Sequence, residues 1–262
     1  MKKHLAVLAI ASRTIWQVLA VILLTAAVQT AIFAAMPAEW TETYDYMTQK
    51  GPVTQEVVYR LCLEETFDKG QIGLVAAVGF VAMCALLCFK TSGYGSRVQY
   101  TVARLGVREE TLNLWWMAYH TACVILFWMS QLLVTYLLCR LFLGRTAPEY
   151  INGQTVVLAY YRQPYLHNLM PGVDVACWIR NGLLAPMLGA ALSYYAMVQR
   201  RGGRISFVTL ACVAMTVFLF RTPVYSKVSD AALLLILVVL AALLVRLLTV
   251  GQAEKEQEGG QS

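Results

Sequence analysis

The sequence predicts an all-α, polytopic membrane protein with about six transmembrane helices and both termini cytoplasmic. Three observations lead there. Of 262 residues, 59% are hydrophobic and 14% charged, with a mean hydropathy of +0.59; soluble domains carry about 25% charged residues. The apolar residues form continuous runs rather than a two-residue alternation, which argues against a transmembrane barrel. The polar stretches between the runs are too short for a separate soluble domain. A span needs about 20 residues, so the chain holds about six.

Taken in order, Lys2, Lys3 and Arg13 flank the apolar stretch from Leu5 to Ala11. Residues 1–13 are therefore expected to form an amphipathic segment on the inner membrane surface. The first span covers about 14–36 and stops at Pro37; its apolar run exceeds the ~7–15 residues of a signal-peptide core. An acidic loop follows, in which Glu39, Glu42, Asp45, Glu56, Glu64, Glu65 and Asp68 outnumber Lys50, Arg60 and Lys69. The second span is 72–89 and the third 112–138, with Trp115, Trp116 and Tyr119 placed as an interfacial anchor. The loop 140–174 carries Tyr150, Tyr160, Tyr161 and Tyr165 with Pro148, Pro164 and Pro171, the pattern of a structured hairpin or an interfacial layer. Spans at 175–198, 205–220 and 231–250 complete a single six-helix domain over 14–250, and residues 251–262 form a disordered polar tail.

Basic residues set the orientation. With the N-terminus inside, about twelve of the 21 Lys and Arg fall in inner segments, including the turn with Arg200, Arg201 and Arg204, and the acidic loop is outside. The chain then sits in the cell membrane with both ends cytoplasmic. Its net charge of +6 reads as orientation and headgroup contact, not as nucleic-acid binding.

Several chemistries have no motif here. Gly-Lys never occurs, so there is no P-loop, and neither H-E-x-x-H nor G-x-S-x-G is present. His4, His120 and His167 lie in different segments and read as packing or interfacial residues. No catalytic, cofactor-binding or metal-ligating residue is assigned, and the chain is not expected to be an enzyme. Most of the seven cysteines sit in apolar runs, where the thiol behaves as a small hydrophobe. Cys62, Cys139 and Cys177 fall on one side of the membrane, and their pairing is left open. No ionisable residue stands near a span centre. Arg180 lies near the outer end of the fourth span, with Asp174 close enough to pair with it. Small residues recur at spacing four, Ala26, Thr30 and Ala34 in the first span and Ala185, Gly189 and Ser193 in the fourth, as faces for close packing within the chain. Gln17, Gln29 and Gln131 read as polar glue or cavity lining.

The stretch from Thr91 to Asn113 is the part built to touch something soluble. On a helix, Val98, Thr101, Val102 and Leu105 share one face and Arg97 and Arg104 the opposite side. Gly106 suits a left-handed cap. Glu109 and Glu110 open the next helix, where the dipole favours acids. Over Thr101-Val102-Ala103-Arg104-Leu105-Gly106-Val107-Arg108 the chain resembles permease subunits of ABC-2-type ABC transporters, the membrane domains of bacterial exporters. Their short cytoplasmic helix between spans two and three often reads Thr-Leu-Arg-Arg-Leu-Pro-Val-Ser. Here Gly106 replaces the Pro, Arg108 stands where a Ser or Thr cap is common, and the long outer loop follows span three rather than preceding span six.

The resemblance implies a permease moving an unknown substrate by alternating access, driven by a separate ATP-binding subunit that holds ATP and Mg. It implies a coupling helix at 97–110, with Arg97, Thr101, Arg104, Leu105, Arg108, Glu109 and Glu110 docking that subunit. It also implies a second permease copy, as a homodimer or heterodimer in the bilayer. The alternative is a non-transporting integral membrane accessory, sensor or assembly protein whose inner loop binds lipid or a regulator.

Overall fold

The computed structural model of the chain describes residues 2–37, 39–48, 51–91, 106–200, 206–222 and 227–249. It is mostly helical. The helices, in chain order, are α1 (Lys2–Ala11), α2 (Ile15–Ala35), α3 (Leu63–Lys69), α4 (Ile72–Thr91), α5 (Glu109–Arg145), α6 (Thr155–Arg162), α7 (Pro164–Leu169), α8 (Val175–Arg200), α9 (Phe207–Arg221) and α10 (Lys227–Thr249). Among the described residues, four helical stretches are long and apolar enough to cross a membrane: Val7–Ala35, Ile72–Lys90, Glu109–Arg145 and Val175–Arg200. Phe207–Arg221 and Ala232–Leu248 are shorter apolar helices. At about 1.5 Å per residue the 15 residues of α9 reach about 22 Å, less than the ~30 Å of a hydrocarbon core.

The all-α expectation needs a correction. The acidic loop is a two-stranded antiparallel hairpin, β1 (Glu39–Thr48) and β2 (Gly51–Arg60), running in register from Glu39 opposite Arg60 to Thr48 opposite Gly51. Its strands hold Trp40, Thr41, Thr43, Tyr44 and Tyr46, then Val53, Val57, Val58 and Tyr59. These β-branched and aromatic residues favour strand, a signal that the acidic charge obscures. The Tyr-rich loop 140–174 is the converse case. It forms a 3-10 turn at Pro148–Tyr150 and the short helices α6 and α7, not a hairpin.

Boundaries differ too. The helix of the expected third span, α5, runs from Glu109 to Arg145, past the expected 112–138, because no proline interrupts it before Pro148. At the start of the chain, α1 joins α2 through one 3-10 turn, Ser12–Thr14, with Ala11 and Ile15 both helical. The first candidate span accordingly begins at Val7, inside the segment expected to lie apart on the membrane surface.

α8 is the central helix. It packs against α5, α10, α9 and α4, and 61% of its most apolar window is buried, against 28% for the first span. Small residues set that position. Ala185 and Ser193 are buried, and a Cβ at Gly189 would lie 2.8 Å from the Met117 carbonyl oxygen and 2.9 Å from the Thr121 nitrogen. Ser193 Oγ also donates to the Asn113 carbonyl at 2.9 Å. The spacing-four face of the first span does not pack this way, since Thr30 and Ala34 are exposed. There α2 buries Val18, Ile22, Thr25, Gln29 and Phe33 instead. A second core cluster gathers at the hairpin end around Phe33, Phe67, Leu138 and Leu166, with Phe33 and Phe67 edge to face at 5.4 Å.

Candidate functional site

The long helices leave a cavity between them. Its walls come from α4 (Ala76, Ala77, Phe80), α5 (Val124, Phe127, Trp128, Gln131), α8 (Leu184, Ala185, Leu188) and α9 (Thr216, Val217, Phe220, Arg221), with Tyr165 and Leu169 of α7 at one end. It holds about 640 Å³ of atom-free space, counting the part open to the outside. Sites for small ligands combine apolar walls with a few directed polar groups.

Two buried networks reach this lining, one through Gln131 and Tyr165 and one through Asn181. In the first, Gln29 Nε2 donates to Gln131 Oε1 at 2.9 Å and to the Ile72 carbonyl at 3.3 Å, and Tyr165 Oη donates to the same Gln131 Oε1 at 3.1 Å. Burial pushes the Tyr165 phenol well above its ordinary pKa, so it stays a donor at any physiological pH. Gly73 makes room for this tyrosine, since a Cβ there would lie 3.1 Å from its ring. Gln29 and Gln131 thus serve as polar glue, Gln131 also lines the cavity, and Gln17 is exposed.

The second network surrounds Arg180, which is 1% exposed. Its NH2 group donates to Asn168 Oδ1 at 2.9 Å and to Cys177 Sγ at 2.7 Å. Asn181 Nδ2 donates to the Asn168 carbonyl at 2.6 Å, and Asn168 Nδ2 to the Thr222 carbonyl at 3.1 Å. Asp174 was the expected partner of Arg180. Its Oδ1 instead accepts the backbone N–H groups of Ala176 and Cys177 at the start of α8. Such caps leave a carboxylate well satisfied where it is.

Of the expected docking residues, Arg108, Glu109 and Glu110 lie at the start of α5. Arg97, Thr101, Arg104 and Leu105 fall outside the described residues. Gly106 has φ of 55°, in the left-handed region expected of it. Arg108 is the extended N-cap of α5, and Glu109 and Glu110 occupy the helix's first turn. Nearby, Thr14 Oγ1 and Tyr119 Oη are hydrogen-bonded at 2.6 Å, tying the start of α2 to α5, and Arg200 Nη2 donates to Asn113 Oδ1.

All seven cysteines are free, with Cys62 exposed and Cys139 and Cys177 buried. Among the described residues, no group of three or more His, Cys, Asp or Glu is placed to hold a metal. His120 is buried between Trp116 and Tyr119, at ring distances of 5.9 and 6.0 Å. No family model matches the chain, no characterised protein matches it in sequence, and no solved structure matches its fold.

The networks around Gln131 and Arg180 are the functional candidates that linear reading misses. Glutamine and asparagine inside apolar segments are a faint signal for them. Which of these residues meet is decided by α7, a six-residue helix in the Tyr-rich loop that tucks Tyr165 and Asn168 into the bundle.

Proposed function

We propose that the chain is the membrane-spanning permease subunit of an ABC exporter, in the cell membrane with both termini cytoplasmic. In this reading α9 and α10 join the four long helices to make six spans. The 97–110 segment docks a separate ATP-binding subunit, which holds ATP and Mg, and a second permease copy completes the unit. The chain itself is not an enzyme and binds no nucleic acid.

The observation that carries this reading is the geometry of α5. It opens on Glu109 and Glu110 immediately behind the left-handed Gly106. Its 37 residues extend about 55 Å, well beyond a ~30 Å hydrocarbon core. The same helix supplies Val124, Phe127, Trp128 and Gln131 to the cavity wall. α5 therefore runs from Glu109 and Glu110 of the proposed docking set to the cavity wall, the kind of single element through which a partner's ATP-driven closure would reach a transport path.

The test is purification of the tagged full-length chain from its native membrane in mild detergent. A stoichiometric P-loop ATPase should co-purify and be lost on combining Arg104→Glu with Glu109→Lys. Recovery alone, or with a partner lacking nucleotide-binding motifs, would replace this reading with the accessory or sensor one.

A further inference from the structure

Gln131 carries a further inference. Gln29 Nε2 is held by the Ile72 carbonyl as well as by Gln131, so the orientation of the Gln29 amide is set by the backbone. That in turn sets Gln131 with Oε1 toward Gln29 and Tyr165. Gln131 is 2% exposed and lines the cavity, and its Nε2 has no hydrogen-bond partner among the described residues. A buried amide donor left in this state is costly unless something in the cavity accepts from it.

We propose that the cavity binds a single-chain anionic amphiphile, with its acyl chain among Phe80, Phe127, Leu184 and Leu188 and its acidic headgroup accepting from Gln131 Nε2 and facing Arg221. The apolar walls favour hydrocarbon over water. Ala76, Ala77 and Ala185 are the small residues of these walls. The sign of the headgroup follows from the lining, which includes Arg221 and no Asp or Glu. Arg221 is exposed at the end of α9, where an ion can approach it. Naming this amphiphile as exported cargo rests on the permease reading; the binding itself does not.

Trp128 lines the cavity and reports on it. The full-length chain is placed in phosphatidylcholine nanodiscs and titrated with dibrominated stearic acid, whose bromines quench tryptophan on contact. The expected result is saturable quenching at low mole fraction that disappears in Trp128→Phe. Dibrominated stearyl alcohol should bind at least about tenfold more weakly, and Gln131→Leu should weaken the acid by about five- to tenfold. Ala185→Phe should abolish the saturable phase by filling the cavity. Should that variant not fold, the comparison of acid with alcohol on the unmodified chain decides the matter. Linear quenching, or equal binding of acid and alcohol, overturns the proposal. Saturable, acid-selective quenching by a chain that recovers no ATPase keeps the site and discards the permease. An ATPase co-purifying with a chain that shows only linear quenching does the reverse.

Discussion

Gln29 Nε2 lies 2.9 Å from Gln131 Oε1, joining two apolar helices through residues 102 positions apart. Both side chains are buried, where an unmade hydrogen bond is costly.

The costs of replacing the two members are therefore predicted to be non-additive. Gln29→Leu strips Gln131 of a donor and should destabilise the chain by about 1–2 kcal/mol. The double change to leucine should cost less than the sum of the single ones, because the Gln29–Gln131 bond is lost only once. Thermal unfolding in detergent of the four proteins of the cycle measures the coupling. Strict additivity would count against the network.

Two glycines should respond differently to rescue. At Gly79 a Cβ would meet Thr25, including its Cγ2 at 2.6 Å, so the obstacle is a side chain. Gly79→Ala should cost about 1–3 kcal/mol, and Thr25→Ala should recover part of it. At Gly189 the obstacles include the Met117 carbonyl and the Thr121 backbone nitrogen. Gly189→Ala should stay destabilised when Thr121 becomes alanine, since backbone cannot be trimmed. Unfolding temperatures of the singles and doubles separate the two cases.

Asn168 links α7, α8 and the end of α9. Asn168→Leu removes one acceptor of Arg180 and the donor to Thr222, and should cost about 2–3 kcal/mol, as for hydrogen bonds to charged groups. Asn168→Asp keeps the acceptor and should cost less. By contrast, the exposed ion pair of Arg162 and Glu64 at 3.1 Å should be worth less than about 1 kcal/mol. Arg162→Ala tests it by the same melt.

Cys62 offers a test of sidedness. It is the exposed cysteine of the seven and lies just after the hairpin. In the proposed orientation, a membrane-impermeant maleimide labels it on intact cells, and Cys62→Ser removes the label. Labelling only after permeabilisation would invert the topology. Burial first, then the nearby Glu65 and Glu64, raise the thiol pKa above 9.0. Less thiolate is thus present at pH 8 than for a free cysteine. Labelling should be correspondingly slow there and keep climbing beyond pH 9.0, as a stopped-time assay would record.

Much of the architecture was legible in the chain. Runs of apolar residues broken by charges marked the helices, because a helix that buries its backbone polar groups needs only composition and length to be recognised. Gly106 and the Glu109–Glu110 pair announced the start of α5, because capping depends on neighbours in sequence. The spacing of Ala185, Gly189 and Ser193 likewise marked a packed face. The hairpin at 39–60 escaped notice because strand pairing is a relation between two segments, and each alone resembles a polar loop. The cavity and its networks depended wholly on tertiary structure. Gln29, Gln131 and Tyr165 come from three distant segments, and α7 brings the third of them inside. Local composition thus determined which segments are apolar helices. Only packing decided which buried polar groups meet, because that depends on helix rotation and depth rather than on any neighbour in the chain.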